Sequence, residues 1–285
     1  MYANIACKQT SKTNSVDRSV TMLVMALALC VSAASAQSGD HVTIPLTDPS
    51  RPVNLKASLL NGSITVKAYD GKEVIVEAHV RGAEKESTKN GMRRIPMTTS
   101  GINAEEQDNN VRIGTDSFNH TVDLTISVPV HTSVKLNSVN DGNIMVSGVD
   151  GDVEVDNVNG NVTVRDVSGS VVAHALNGNL KVSFIKMNTQ KPMSFSSFNG
   201  DIDVTFPAEM KATLVIRDDQ GEVYSDFDMA IQPSKANPEV EDGRGKGGKF
   251  RVKVDKTVRG TINGGGQEIQ LKNFNGNIFI RKAGK

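Results

Sequence analysis

Between Val139 and Val182 glycine returns every nine residues, at Gly142, Gly151, Gly160, Gly169 and Gly178. An aliphatic residue follows each glycine by two (Ile144, Val153, Val162, Val171, Leu180), and a small or aliphatic one follows by four (Val146, Val155, Val164, Ala173, Val182). A third aliphatic precedes each glycine by two or three residues (Val139, Val149, Val158, Val167, Leu176). A fixed period of this kind marks a repeat architecture, in which each unit buries its apolar side against its neighbours.

Two all-β architectures fit such a repeat. In an antiparallel meander or β-sandwich, each Asn-Gly or Asp-Gly is a tight hairpin turn between strands of about seven residues. A straight strand, however, buries every second residue. These units step by three, from Val146 to Val149, from Val155 to Val158 and from Val164 to Val167. A three-step repeated at the same place implies a corner. The residue before glycine also alternates. Asn159 and Asn177 are 18 apart, and Asp150 and Ser168, also 18 apart, occupy the alternate turns. The expected fold is therefore a parallel β-solenoid with coils of about 18 residues and two unequal glycine corners per coil. The antiparallel meander or sandwich is the alternative. Asparagines stacked coil on coil would form a hydrogen-bonded ladder, and the glycines would accept positive φ. The corner residues expected from this pattern are Asn61, Gly62, Gly142, Gly151, Asn159, Gly160, Gly169, Asn177, Gly178, Asn199, Gly200, Asn275 and Gly276.

Composition agrees with thin β layers. Hydrophobic residues make up 38% of the 285, aromatic residues only 4%, and there is no Trp. The apolar set is rich in Val, which packs well on a pleated surface. Formal net charge is zero, so no whole-chain field argues for nucleic acid.

Residues 1–36 read as a signal peptide. Lys8, Lys12 and Arg18 form a basic region, Thr21 to Ser32 an apolar one too short for an ordinary membrane span, and Ala34-Ser35-Ala36 a cleavage site. Both cysteines, Cys7 and Cys30, lie in this leader, so the exported chain has no disulfide. The expected location is periplasmic, outer-surface or secreted, with no transmembrane segment in the mature chain. Residues 37–285 read as one elongated solenoid domain with its most regular repeats at 131–206. Two polar loop insertions interrupt it, at about 83–110, with a short strand near Ile102 to Glu106, and at about 232–249. Strands are expected at Glu73 to Arg81, Val122 to Val128, Thr213 to Arg217, Glu222 to Asp226 and Phe250 to Val258.

Chemistry-bearing motifs are sparse. The five histidines, His41, His79, His120, His131 and His174, form no HExxH and no Cys/His cluster. Asp150, Asp152 and Asp156, like Asp201 and Asp203, lack the GGxGxD pattern of calcium-binding solenoids. Asp152 with Glu154 could make a glycosidase pair, but aromatic sugar platforms are missing from the pattern. There is no GxSxG, and the glycine run from Gly243 to Gly248 lacks P-loop spacing. No cofactor or metal site is expected.

The units DNVNGNVTV, VDGDVEV and LNGNLKV, the export signal, and Asn109-Asn110-Val111-Arg112-Ile113 before a strand ending at Val128-Pro129 resemble the bacterial putative-adhesin family. That family is a domain of unknown function described as toast-rack or β-helix-like, and the resemblance spans roughly residues 40–282. It implies a right-handed β-helical envelope protein without an established enzyme activity, and it supplies no catalytic residue to carry over. The resulting expectation is an exported, non-catalytic, adhesin-like envelope scaffold whose partner is an envelope glycan or a surface protein. The alternatives are a polysaccharide-processing enzyme on a β-helix and a regulatory component of an envelope-stress system.

Overall fold

The computed structural model describes residues 39–81, 88–89, 92–93, 100–116, 120–188, 190–232, 239–242, 250–253 and 256–284. The expected signal peptide at 1–36 lies outside them. Every described element is a strand. In chain order they begin with β1 (Asp40–Pro45), β2 (Val53–Asn61), β3 (Ile64–Tyr69), β4 (Glu73–Arg81), β5 (Thr88–Lys89), β6 (Met92–Arg93), β7 (Ile102–Gln107), β8 (Asn110–Thr115) and β9 (Thr121–Pro129). The regular region holds β10 (Thr132–Asn140), β11 (Ile144–Ser147), β12 (Val153–Asn159), β13 (Val162–Gly169), β14 (Val171–Asn177), β15 (Leu180–Met187), β16 (Met193–Asn199) and β17 (Ile202–Phe206). The chain closes with β18 (Ala212–Asp218), β19 (Val223–Ser225), β20 (Ala230–Gln232), β21 (Glu239–Asp242), β22 (Phe250–Lys253), β23 (Val258–Ile262), β24 (Gln267–Asn275) and β25 (Ile278–Lys282).

Two large sheets face each other across one core. The first runs β1-β4-β9-β3-β11-β13-β15-β17-β25-β19 and the second β20-β23-β18-β24-β16-β14-β12-β10-β2-β8-β7. Each coil takes one strand from the second sheet, turns at an Asn-Gly corner, and continues as a strand of the first. The pairs β2/β3, β10/β11, β12/β13, β14/β15, β16/β17 and β24/β25 stack this way, in parallel register. The solenoid reading therefore holds through the middle of Gly39–Lys285, which forms one compact unit.

The stack is not sequential, and this departs from the simple coil-after-coil expectation. After β3 the chain leaves to build one end, where β1, β4 and β9 pair antiparallel and β7 forms an antiparallel hairpin with β8. The expected insertion at 83–110 is thus partly sheet, and its short strand is β7. After β17 the chain builds the other end, where β18, β23 and β20 pair antiparallel, before β24 and β25 complete the sixth coil. The expected loop at 232–249 contains β21, paired with β22, and the single strand expected from Phe250 to Val258 is two strands.

The same local pattern resolves differently in the two halves of a coil. Around the Asp/Ser corners the three-step is real: Val149 and Val167 are buried. A left-handed residue makes the bend, Gly148 at φ 74° in one coil and Asp166 at φ 53° in the next, with a register shift beside Val167. Asp tolerates this conformation because its short side chain bonds locally. Around the Asn corners no bend occurs and strand parity continues. Ser138, Asn157, Ala175, Ser197 and Asn273 point inward there. The expected inward residues Val158 and Leu176 instead face out, Leu176 with 48% of its surface exposed. Three of these inward polar side chains bond to the corners themselves. Ser138 Oγ donates to the Gly62 carbonyl at 2.9 Å, Asn157 Nδ2 to that of Gly142 at 3.0 Å, and Ser197 Oγ to that of Gly178 at 3.2 Å.

The core between the sheets is aliphatic, with an aromatic knot of Phe184, Phe195 and Phe206 near the fourth and fifth coils. Each fully buried aliphatic contributes about 1.5–3 kcal/mol.

Candidate functional site

The corner glycines named from sequence lie where one coil approaches the next. A Cβ on Gly160 would meet the Gly142 carbonyl oxygen at 2.0 Å, on Gly178 that of Gly160 at 2.1 Å, on Gly200 that of Gly178 at 2.3 Å, and on Gly276 that of Gly200 at 2.5 Å. At the second corner, a Cβ on Gly169 would meet the Gly151 oxygen at 2.2 Å and one on Gly151 the Thr132 oxygen at 2.4 Å. Gly142 and Gly151 lack a left-handed φ, so what excludes a side chain there is the close approach of the coil below rather than the turn. Gly62 begins the same column, and Gly221, not anticipated from sequence, ends it above Gly276.

Asparagine side chains run beside this column. Asn159 Nδ2 donates to Asn140 Oδ1 at 3.2 Å, Asn177 to Asn159 at 3.0 Å, Asn199 to Asn177 at 2.9 Å and Asn275 to Asn199 at 3.4 Å. Asn61 occupies the same register position in the first coil, paired with Asn140. A second ladder uses the residue after glycine. The oxygens of Asn143, Asn161, Asn179 and Asp201 accept, at 2.8–2.9 Å, from the backbone N–H of Asn161, Asn179, Asp201 and Asn277. Asp201, one of the acids considered as a calcium ligand, is a rung of this ladder. Among the described residues no three His, Cys, Asp or Glu groups converge on a metal site.

Chemistry is left to the outer face of the 11-stranded sheet, where parallel register converts each outward position into a row across the coils. One row, at the strand beginnings, carries Asn110, Asn54, Ser133, Asp152 and Ser170. Ser170 is buried, its hydroxyl donating to Asp152 Oδ1 at 2.6 Å. Burial works against ionisation of Asp152, but hydrogen bonds from Lys191 and Ser170 outweigh it and hold its carboxyl below the usual range.

The next row reads Glu105, Arg112, Lys56, Lys135, Glu154 in register. Three cations thus stand on adjacent strands, about 4.8 Å apart in the pairing direction. Among the described residues only Lys135 has an acid in contact, Glu154, which raises its pKa. Like charges directly opposite one another oppose folding. Together with Asn54, Asn110, Asp152 and Lys191 these residues line a shallow groove of about 470 Å³.

A third row reads Asp156, His174, Ser196, Lys272, Arg217. Ser196 Oγ lies 2.6 Å from His174 Nδ1. Asp156 sits one rung away and makes no hydrogen bond to that ring among the described contacts. The Ser–His pair therefore has no carboxylate orienting the imidazole, which a relay of the Ser-His-Asp type requires. Beyond this row stands a fourth, Leu60, Val139, Val158, Leu176, Phe198 and Phe274, of which Val139, Val158 and Leu176 were expected to be the third aliphatic of their units. Each lies between rungs fixed by the flanking pairs. Leu60 is 43% exposed, Phe198 45% and Phe274 36%, and the two phenyl rings stack at 4.6 Å. The third and fourth rows border a second groove of about 450 Å³. The signal for this row was present in the sequence, since Phe198 and Phe274 occupy the position of Leu176 just before Asn-Gly.

A comparison with curated proteins finds no match. Two solved structures are similar in outline. One is a putative cell adhesion protein from Clostridium sporogenes ATCC 15579, with TM-score 0.39, 11% identity, and 86% of this chain and 99% of that chain covered. The other is a putative adhesin from Bacteroides fragilis NCTC 9343, with TM-score 0.36, 12% identity, and 87% and 98% covered. The family model of Toastrack DUF4097 matches residues 13–281. With its two mostly parallel sheets, its stacked glycine corners and a family match over nearly its whole length, this chain belongs to the Toastrack DUF4097 family.

Proposed function

We propose that this protein is an exported, non-catalytic, adhesin-like scaffold of the cell envelope or surface, and that it binds an anionic envelope glycan. The observation that carries the reading is the in-register cation row of Arg112, Lys56 and Lys135 beside the amide row of Asn54 and Asn110. An extended polyanion lying along the solenoid axis would relieve the like-charge contacts while the amides bond its hydroxyl groups. The rigid register of the coils supplies the repeat, and the low relief of the groove suits a chain held along its length. The leader at 1–36, read from sequence alone, supports export.

The test is binding of the full chain to purified anionic and neutral envelope polysaccharides and to whole cells, at low and at raised salt. The expected result is salt-sensitive binding to the anionic polymer that falls at least tenfold in the double variant Lys56→Glu/Arg112→Glu. Absence of binding to every glycan and every cell surface sinks the proposal. Binding to cells that survives removal of their glycans would transfer the reading to a surface protein.

A further inference from the structure

The apolar row Leu60, Val139, Val158, Leu176, Phe198 and Phe274 takes no part in the glycan reading. Six outward apolar side chains in register, Val139 and Val158 half-buried and the other four exposed, form a strip about 24 Å long at the spacing of paired strands. Such a strip on a soluble face marks a contact surface. Stacking turns the two phenyl faces toward each other and leaves edges outward. A sugar platform needs an open face, whereas an apolar protein surface accepts edges. We infer that the strip is the interface of a homodimer, formed when a second copy of this chain packs face to face about a two-fold axis parallel to the strands, between β14 and β16.

Three features make the surface complementary to itself. Across that axis the order of the rungs reverses. Over the four rungs about that axis the strip grades from small to large (Val158, Leu176, Phe198, Phe274), so Phe274 meets Val158 of the second copy and Phe198 meets its Leu176. The adjoining polar row is acidic at one end and basic at the other. The same reversal sets Asp156 against Lys272 of the second copy, twice, while His174 faces Ser196. Neither Asp156 nor Lys272 has an ion-pair partner within its own chain among the described residues. A two-fold interface is isologous, so one patch must satisfy itself in this way. A foreign partner would need the same gradient of size and charge in reverse.

Sedimentation velocity of the full chain, from about 1 to 100 μM, reads the association directly. A reversible dimer is expected, with Phe198→Asp weakening it at least tenfold. Because Phe198 is exposed, the variant should keep the parent's circular dichroism and unfolding midpoint. The charge reversals Asp156→Lys and Lys272→Asp should each shift the species toward monomer, and the double variant should recover most of the loss. A chain that stays monomeric at the highest concentration overturns the inference. So does a dimer that ignores Phe198→Asp, or one in which the two charge reversals add rather than compensate.

Discussion

Replacing Gly160 by Ala tests whether contact between stacked corners holds the solenoid together. The Cβ would lie 2.0 Å from the Gly142 carbonyl oxygen and 3.0 Å from Asn157 Nδ2, at a φ of 146°. Holding an L-residue in that region costs about 1–3 kcal/mol. Relieving the overlap means moving backbone in two coils, for about 1–3 kcal/mol more. The combined loss of about 2–6 kcal/mol is large against the 5–15 kcal/mol that stabilises a typical domain. Two companion variants separate the contributions. Gly142→Ala has no left-handed φ to strain but would bring Cβ to 1.8 Å from the Gly62 oxygen, so its loss reports close approach alone. Gly264→Ala has φ 86° with nothing within 4 Å, so its loss, about 1–2 kcal/mol, reports conformation alone. Urea unfolding followed by circular dichroism measures all three, read as midpoint shifts at constant slope. A Gly142→Ala variant within about 0.5 kcal/mol of the parent would refute the claim that coil spacing forces glycine. A Gly264→Ala variant as damaging as Gly160→Ala would refute it equally.

Asn177→Ala removes one donated and one accepted ladder bond and should lower stability by about 1–2 kcal/mol in the same urea assay. Phe206→Ala empties a fully buried position stacked on Phe184 at 5.6 Å and should cost about 3–5 kcal/mol, with a lowered thermal midpoint by calorimetry. Burial opposes ionisation of Asp123, but hydrogen bonds from Arg81 and Ser63 prevail and hold its pKa below the ordinary 3.8. Its stabilisation, about 1 kcal/mol for a partly exposed pair, is therefore present above pH 3.8 and lost as pH falls through the folded value. The stability gap between parent and Asp123→Asn should accordingly be constant from about pH 5 to 7 and shrink below pH 4, as measured by urea midpoints at each pH.

The candidate site was only partly legible because its rows are products of register. Lys56, Arg112 and Lys135 are far apart in the chain, and nothing local to each says that they are neighbours. Their juxtaposition requires β2, β8 and β10 to lie side by side, although β8 follows an excursion of the chain and β10 another. His174 and Ser196, 22 residues apart, are likewise brought together only by the pairing of β14 with β16.

The periodic glycines, the alternation of Asn with Asp or Ser before them, and the valine-rich unit were enough by themselves to specify a parallel coil of about 18 residues. Each of these is a local requirement repeated, and a repeat whose apolar side cannot be buried alone must stack. Tertiary structure decided which way the third aliphatic of each unit faces. Val149 and Val167 turn inward because Gly148 and Asp166 adopt a left-handed bend. Val158 and Leu176 stay outside because Asn157 and Ala175 continue the strand and the inward Asn157 secures a glycine carbonyl below. Two similar nonamers thus diverge at the left-handed residue, Gly148 or Asp166 in one kind and absent in the other, where Asn157 bonds to the coil below. That choice creates the apolar strip on the outer face.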